Sequence, residues 1–338
     1  MKKYHVTGVG NALVDREYQV TDAFLERYQV EKSIMTLLDE AQQQLLLGEL
    51  NKEFKLEKRV GGGSAANSLV ALSQFGGRAF YCCKVANDED GDFYRQDLAD
   101  AGVETHLHEQ DNGGHTGKCV VMVTPDAERT MCTFLGITID FSLEELKEDA
   151  IAESEYLYIE GYLATSEIAR NAVQAARNAA EKANTKIALT FSDSSMVKYF
   201  KEGLDEFLQA GVDILFCNKE EAELYTGTHT LEAAMSELLK YAKQVVVTRG
   251  KEGALIGTEE KRVQVPGFPV QALDTNGAGD MFAGAYLFGI TQGWDLASAG
   301  TLASRAAAEV VTHYGPRLPA ETHREILTEL NNTVEKTA

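Results

Sequence analysis

Basic residues are in short supply in this chain. Lysine and arginine number 32 against 52 aspartates and glutamates, a formal net charge of −20 over 338 residues. That shortage excludes non-specific binding to nucleic acid or to an anionic membrane surface, since both need a basic footprint. It also means that a polyanionic substrate must be received locally, by backbone amides, single arginines or a metal ion. Long apolar runs are missing too: nothing approaches the ~18 consecutive apolar residues of a membrane span. The first six residues lead straight into a strand pattern without a signal-peptide run. Five cysteines (Cys82, Cys83, Cys119, Cys132, Cys217) lie in apolar surroundings, odd in number and without a C-x-x-C spacing. Such a set fits reduced, buried thiols better than a disulfide framework or a zinc site. Together these absences predict a cytoplasmic protein. No low-complexity segment, internal repeat or long linker interrupts it.

What is present is a β-α alternation. Strand patterns at residues 6–9, 79–85, 156–159, 186–190, 214–217 and 244–248 are each followed by helical sequence. The clearest helices are expected at residues 64–75, 92–101 and 166–183. This order predicts an α/β fold, a mostly parallel sheet with helices on both faces. Residues 13–20 and 34–38 also read as strands, with little helix between them and the glycines Gly61-Gly62-Gly63. Residues 116–124 and 129–135 read as a hairpin around Thr124-Pro125-Asp126-Ala127-Glu128. These pieces suggest a small second sheet inserted twice, a lid. The expected division is a large domain of residues 1–10, 60–104 and 141–338, with a lid of residues 11–59 and 105–140.

The most informative stretch is Asp274-Thr275-Asn276-Gly277-Ala278-Gly279-Asp280, expected between a strand-like run (residues 262–265 and 270–273) and an apolar helix (residues 281–290). A small-residue turn at a helix start aims unpartnered N–H groups at one point, where the helix dipole favours an anion. Asp280 should repel that anion. The conflict disappears if Asp280 takes a proton from an attacking hydroxyl while the amides hold a phosphoryl group. Gly61-Gly62-Gly63-Ser64-Ala65-Ala66-Asn67 is a second loop-to-helix start. Its glycines admit a ligand, Asn67 offers a donor and an acceptor for sugar hydroxyls, and Ser64 reads as a capping serine. Asp15, beyond the first strand, could accept from two vicinal hydroxyls. Three lookalikes fail on detail. Gly8-Val9-Gly10 has Leu13 where a dinucleotide fingerprint needs its third glycine. Residues 113–119 have Cys119 in place of the P-loop hydroxyl. Residues 87–91 lack the first calcium ligand, with Ala86 in its place.

With these motifs in place, the chain is identified as resembling the ribokinase-like, or PfkB, family of carbohydrate and nucleoside kinases. Gly62-Gly63-Ser64-Ala65-Ala66-Asn67 and residues 274–280 match its two signatures, and the resemblance covers essentially the whole chain. Within the family, residues 8–15, 115–119 and 212–221 are most similar to adenosine kinases. The resemblance implies a ribokinase-like three-layer α/β/α fold with a small β-sheet lid. It implies Asp280 as catalytic base, an anion hole from the amides of Gly277, Ala278 and Gly279, and Arg129 closing from the lid onto the phosphates. Asp15, Gly62, Gly63 and Asn67 would hold the sugar hydroxyls, and Asn218 with Glu221 would organise Mg²⁺ through water. Thr248, Gly250, Gly253, Asp274 and Thr275 would line the ATP site, with Asn218 again nearby.

Two positions blur the substrate. Glu160 stands where sugar kinases of the family place a substrate-contacting carboxylate. Tyr162 stands where an aromatic packs on adenine, but its neighbour Leu163 is not aromatic. The expectation is ATP- and Mg²⁺-dependent phosphorylation of the 5′-hydroxyl of a ribonucleoside, adenosine foremost, with K⁺ activation open and a monomer or homodimer equally allowed. The alternatives are a kinase of inosine, guanosine or a free sugar such as ribose, and a sugar-binding protein that has lost catalysis.

Overall fold

A computed structural model describes residues 2–109 and 111–337. Among them, nine strands form one sheet in the order Arg262–Val265, Ala254–Thr258, Ala242–Thr248, Val212–Asn218, Lys186–Thr190, Ser154–Glu160, Tyr4–Val9, Ala79–Cys82, Val103–Thr105. Every pairing from Ala242–Thr248 to Val103–Thr105 is parallel, and the first two strands in this order pair antiparallel. The side-chain period of two sorts each strand between two cores. Tyr156 and Tyr158 face one apolar cluster with the helices Ser64–Gln74 and Ala278–Thr291, whereas Leu157 and Ile159 face another with Glu167–Lys182. Strands buried on both faces read as nearly continuous apolar runs, which is why they were visible in the sequence. The result is the expected three-layer α/β/α architecture.

The second sheet has five strands, in the order Met35–Leu37, Arg129–Phe134, Gly117–Val123, Leu13–Gln19, Leu56–Gly62. The expected hairpin is there, with Gly117–Val123 antiparallel to Arg129–Phe134. Two expectations need correction. The sequence between the small-sheet strands is helical, at Asp22–Arg27 and Glu40–Glu53. The longer helix starts with a reciprocal Asp39–Gln42 capping box and buries Gln43, Leu46, Leu47 and Leu50 at helical spacing. That signal was legible in residues 39–50. These helices cover the outer face of the small sheet, where Leu46 and Leu50 pack with Tyr18, Val120 and Met122. Residues 270–273 are not a strand; Leu273 and Asp274 instead donate their amides to the Val311 carbonyl, at 2.7 and 3.2 Å.

Strand register puts the chemistry at one edge. Glu160 is level with Thr190, and Asn218 with Thr248, all at carboxyl ends of parallel strands, the edge where open α/β sheets bind ligands. The lid strand Leu13–Gln19 begins four residues after Tyr4–Val9 ends and arches over this edge. Of the rejected lookalikes, residues 87–91 form a helix cap, with Asp88 accepting from the Gly91 amide at 2.8 Å at the start of Glu89–Asp100, whereas Gly8-Val9 end the strand Tyr4–Val9 and Gly117-Lys118-Cys119 begin the strand Gly117–Val123. Among the described residues, no helix is long and apolar enough to cross a membrane.

Candidate active site

Between the sheet edge and the lid lies a cavity of about 390 Å³, within the usual range of a small-molecule site. Asp15, Gly63, Asn67, Arg129, Glu160, Tyr162, Asn218, Glu221, Thr248, Thr275, Gly277, Ala278, Gly279 and Asp280 all line it. They come from both sheets and from seven separate stretches of chain. Four expected residues are not part of that wall. Gly62 lies beneath Asp15, where a Cβ would fall 2.0 Å from Asp15 Oδ1. Asp274 is buried as a brace, accepting from the Asn276 and Gly315 amides, each at 2.8 Å. Gly250 and Gly253 are not brought to the cavity; Gly253, at φ 86°, is required by its own chain, since a Cβ would meet Val265 O at 2.1 Å.

Asp280 sits in the first turn of the helix Ala278–Thr291. Ser64 Oγ donates to its Oδ1 at 2.6 Å and Asn67 Nδ2 to its Oδ2 at 3.0 Å. The two loop-to-helix starts singled out in the sequence thus converge on one carboxylate. Ser64 is therefore not a cap. Gly63 occupies the cap position without a side-chain bond, and Ser64 turns to Asp280. Burial pushes the Asp280 carboxyl above its ordinary value, restrained by the Ser64 and Asn67 bonds and the Arg129 and Arg317 charges. Gly277 enters the helix at φ 74°, and a Cβ there would fall 2.4 Å from Pro316 Cα, so only glycine fits the turn. The helix start leaves amides without intrahelical acceptors. The Ala278 N–H makes one long contact, 3.4 Å to Thr275 O.

Asp15 projects from the lid strand Leu13–Gln19 and is 6 % exposed. Burial pushes its carboxyl up to about 7, opposed chiefly by the Arg317 charge. Arg129 projects from the facing lid strand, and its guanidinium donates to Met131 Sδ at 3.1 Å. Burial works against that charge, but Tyr162, Asp193, Asp280 and Asp274 outweigh it and hold Arg129 above its ordinary value. A guanidinium surrounded by acidic groups and not neutralised by any ion pair among the described residues is suited to an incoming polyanion.

Glu160 is in the wall, but its oxygens are already engaged: Oε1 accepts from the Asn11 amide at 3.2 Å and Oε2 from the Ala65 amide at 2.8 Å. Complete burial pushes it up to about 8, outweighing those two bonds. Asn218 and Glu221 form a reciprocal capping box at the start of the helix Lys219–Thr226. Burial pushes Glu221 up to about 7. No cluster of three or more acidic, histidine or cysteine side chains among the described residues makes a direct metal cage. An octahedral Mg²⁺ that keeps its waters and rests mainly on substrate phosphates fits this donor set.

Several partners escaped the sequence reading. Arg317 donates through Nε to Asn67 Oδ1 at 2.9 Å and pairs with Asp97. Asp193, at the cap of the helix Ser194–Tyr199, lines the cavity opposite Arg129. Glu17, 2 % exposed on the lid strand, is pushed up by burial and by a hydrogen bond with Asp274. Together with a 3.2 Å bond from Thr275 Oγ1 to Ala127 O, that contact ties the small sheet to the loop of residues 274–277. Some of these partners lie 250 residues or more away in sequence, so no local pattern marks them.

Three comparisons bear on this geometry. The model of the pfkB family carbohydrate kinase matches residues 32–323. A crystal structure described as a probable sugar kinase from Rhizobium etli CFN 42 superposes with a TM-score of 0.92 at 31% identity, covering 98% of this chain and 100% of that one. The adenosine kinase of Sinorhizobium meliloti superposes with a TM-score of 0.90 at 32% identity, covering 99% and 100%. Adenosine kinase 1 of Arabidopsis thaliana is 27% identical over 307 residues, 85% of this chain and 88% of its own.

Proposed function

The chain belongs to the pfkB family of carbohydrate kinases, phosphotransferases with an alcohol group as acceptor, and from that premise we propose that its acceptor is the 5′-hydroxyl of a ribonucleoside, adenosine foremost. The observation that carries this reading is the state of Glu160. Its carboxylate was the sequence feature that favoured a free sugar, and both its oxygens are held by backbone amides. What remains open toward a ligand is Asp15 for vicinal hydroxyls, with Tyr162 and the lid side chains Met35, Met131 and Leu135 as apolar surface. An aromatic ring with aliphatic neighbours suits a planar base better than it suits more hydroxyls.

In this mechanism Asp15 orients the ribose so that its 5′-hydroxyl meets Asp280. Asp280 removes the hydroxyl proton as the oxygen attacks the γ-phosphorus of ATP in line, and the bond to the ADP oxygen breaks. Amides of Gly277, Ala278 and Gly279 receive the charge on the transferring oxygens. Arg129 adds its positive charge from the lid, which also excludes water as a competing acceptor. Asn218 and Glu221 would hold Mg²⁺ near the phosphates, where it would neutralise their charge.

Phosphoryl transfer from ATP to adenosine, inosine, guanosine, ribose and fructose tests the proposal. Adenosine is expected to give the highest kcat/KM; a free sugar matching or exceeding it would overturn the nucleoside reading. The pH profile offers a second check. Asp15 must be ionised to accept hydroxyl hydrogens, and in the free enzyme its carboxyl lies at about 7. Protonation below that value removes the acceptor, so kcat/KM for the nucleoside should fall on the acid side with an apparent pKa near 7. Constant kcat/KM from slightly alkaline to mildly acidic pH would contradict the role given to Asp15.

A further inference from the structure

We propose that Arg317 is a positioning residue for the catalytic carboxylate, acting through Asn67; the inference rests on Asp280 being the base. A carboxamide has a donor end and an acceptor end, and its orientation follows from its neighbours. Asn67 Oδ1 accepts from Arg317 Nε at 2.9 Å, and Nδ2 then faces Asp280 Oδ2 at 3.0 Å. Turned over, the same amide would set an oxygen against a carboxylate and an NH₂ against a guanidinium. Two hydrogen bonds would become two repulsions. Arg317 therefore selects the orientation in which Asn67 donates to the base.

The arginine is itself anchored. Its Nη1 pairs with Asp97 on the helix Glu89–Asp100, and it is 8 % exposed. The strand beneath is bare at Gly61, where a Cβ would lie 2.4 Å from Asp97 Oδ2 and 3.3 Å from Arg317 Nη2. Arg317 Nη2 is buried without a hydrogen-bond partner. An unsatisfied buried N–H opposes folding, so the residue is poorly explained as a stabilising device alone. Its chain neighbour Pro316 packs on Gly277, so one short segment supports both the anion-hole turn and the base. The Arg317 charge also lowers the carboxyls of Asp15 and Asp280 against their burial.

Arg317→Met is the test, with Asp280→Asn assayed in parallel. Loss of a group that orients a reacting residue typically costs roughly 10- to 100-fold, and that fall is expected in kcat, with KM for ATP unchanged. The acid limb of kcat should move to higher pH, because the Asn67 amide that donates to Asp280 is no longer fixed and a favourable charge is lost. In an Asn67→Ala background the further effect of Arg317→Met should largely vanish, since both act through one contact. Because the single variant orphans Asp97, Asp97→Asn/Arg317→Met carries the same test without a stranded carboxylate. Folded variants with normal kcat and an unmoved acid limb overturn the proposal. So does failure of both variants to fold, which would assign Arg317 to the fold. If Asp280→Asn itself keeps turnover, the base assignment fails, a result distinct from an inert Arg317.

Discussion

Asp280→Asn is expected to lower kcat by roughly 10²–10⁴-fold, the usual loss on removing a general base, while nucleoside and ATP binding persist. The substitution is nearly isosteric and leaves an oxygen to accept from Ser64 Oγ, which donates to Asp280 Oδ1 at 2.6 Å. The helix Ala278–Thr291 and its amides are untouched, so the anion hole stays in place. What disappears is the carboxylate that Ser64 and Asn67 orient at the helix start, while Glu160 is committed to the Asn11 and Ala65 amides. Calorimetric titration with adenosine and ATP separates binding from turnover measured by ADP release. Turnover near that of the unmodified enzyme would remove Asp280 from the chemistry.

The second large effect is expected from Arg129→Met. A guanidinium that closes onto transferring phosphates contributes about 10³–10⁵ in kcat where it has been isolated in phosphoryl-transfer enzymes, and a loss of roughly 10³-fold is expected here. Arg129 stands among Tyr162, Asp193, Asp280 and Asp274, whose combined influence raises its affinity for its proton. Without a polyanion it compensates these acids; on the proposed reading it would be shared with the γ-phosphate when ATP binds. Methionine preserves the aliphatic stem on the lid and removes only the charge. Arg129→Lys should recover only part of the activity, because an ammonium lacks the planar fork that meets two phosphate oxygens. Nucleoside binding alone should change little. A kcat within a few-fold of the starting enzyme, checked by single-turnover transfer, would exclude Arg129 from the transfer step.

The fold was legible where periodicity and burial agree. Strands buried on both faces, such as Ser154–Glu160, read as apolar runs, and the helix Glu167–Lys182 followed from its alanine-rich stripe. The small sheet was legible as strands, and its covering helix Glu40–Glu53 carries a signal of its own in the Asp39–Gln42 box and the helical spacing of Gln43, Leu46, Leu47 and Leu50. Residues 270–273 carry strand-forming side chains without a partner strand, and their amides turn instead to Val311. β-propensity reports a fit to a half-buried pleat, so it fails where no neighbouring strand exists.

At the site, residues 274–280 by themselves determined that a small-residue turn and a carboxylate share one helix start. Local geometry requires no more than the turn and the helix that follows. The sequence likewise determined the family, because its two signatures lie on contiguous loop-to-helix segments. Only tertiary structure decided what surrounds Asp280. Ser64 and Asn67 reach it across 216 and 213 residues of sequence, and Arg317 reaches Asn67 across 250. Tertiary structure also decided that Glu160 faces two backbone amides, the observation on which the proposed nucleoside reading rests. The physical reason is that a hydrogen bond depends on where a donor points in space. A motif records that geometry only when both partners lie on the same short segment of chain.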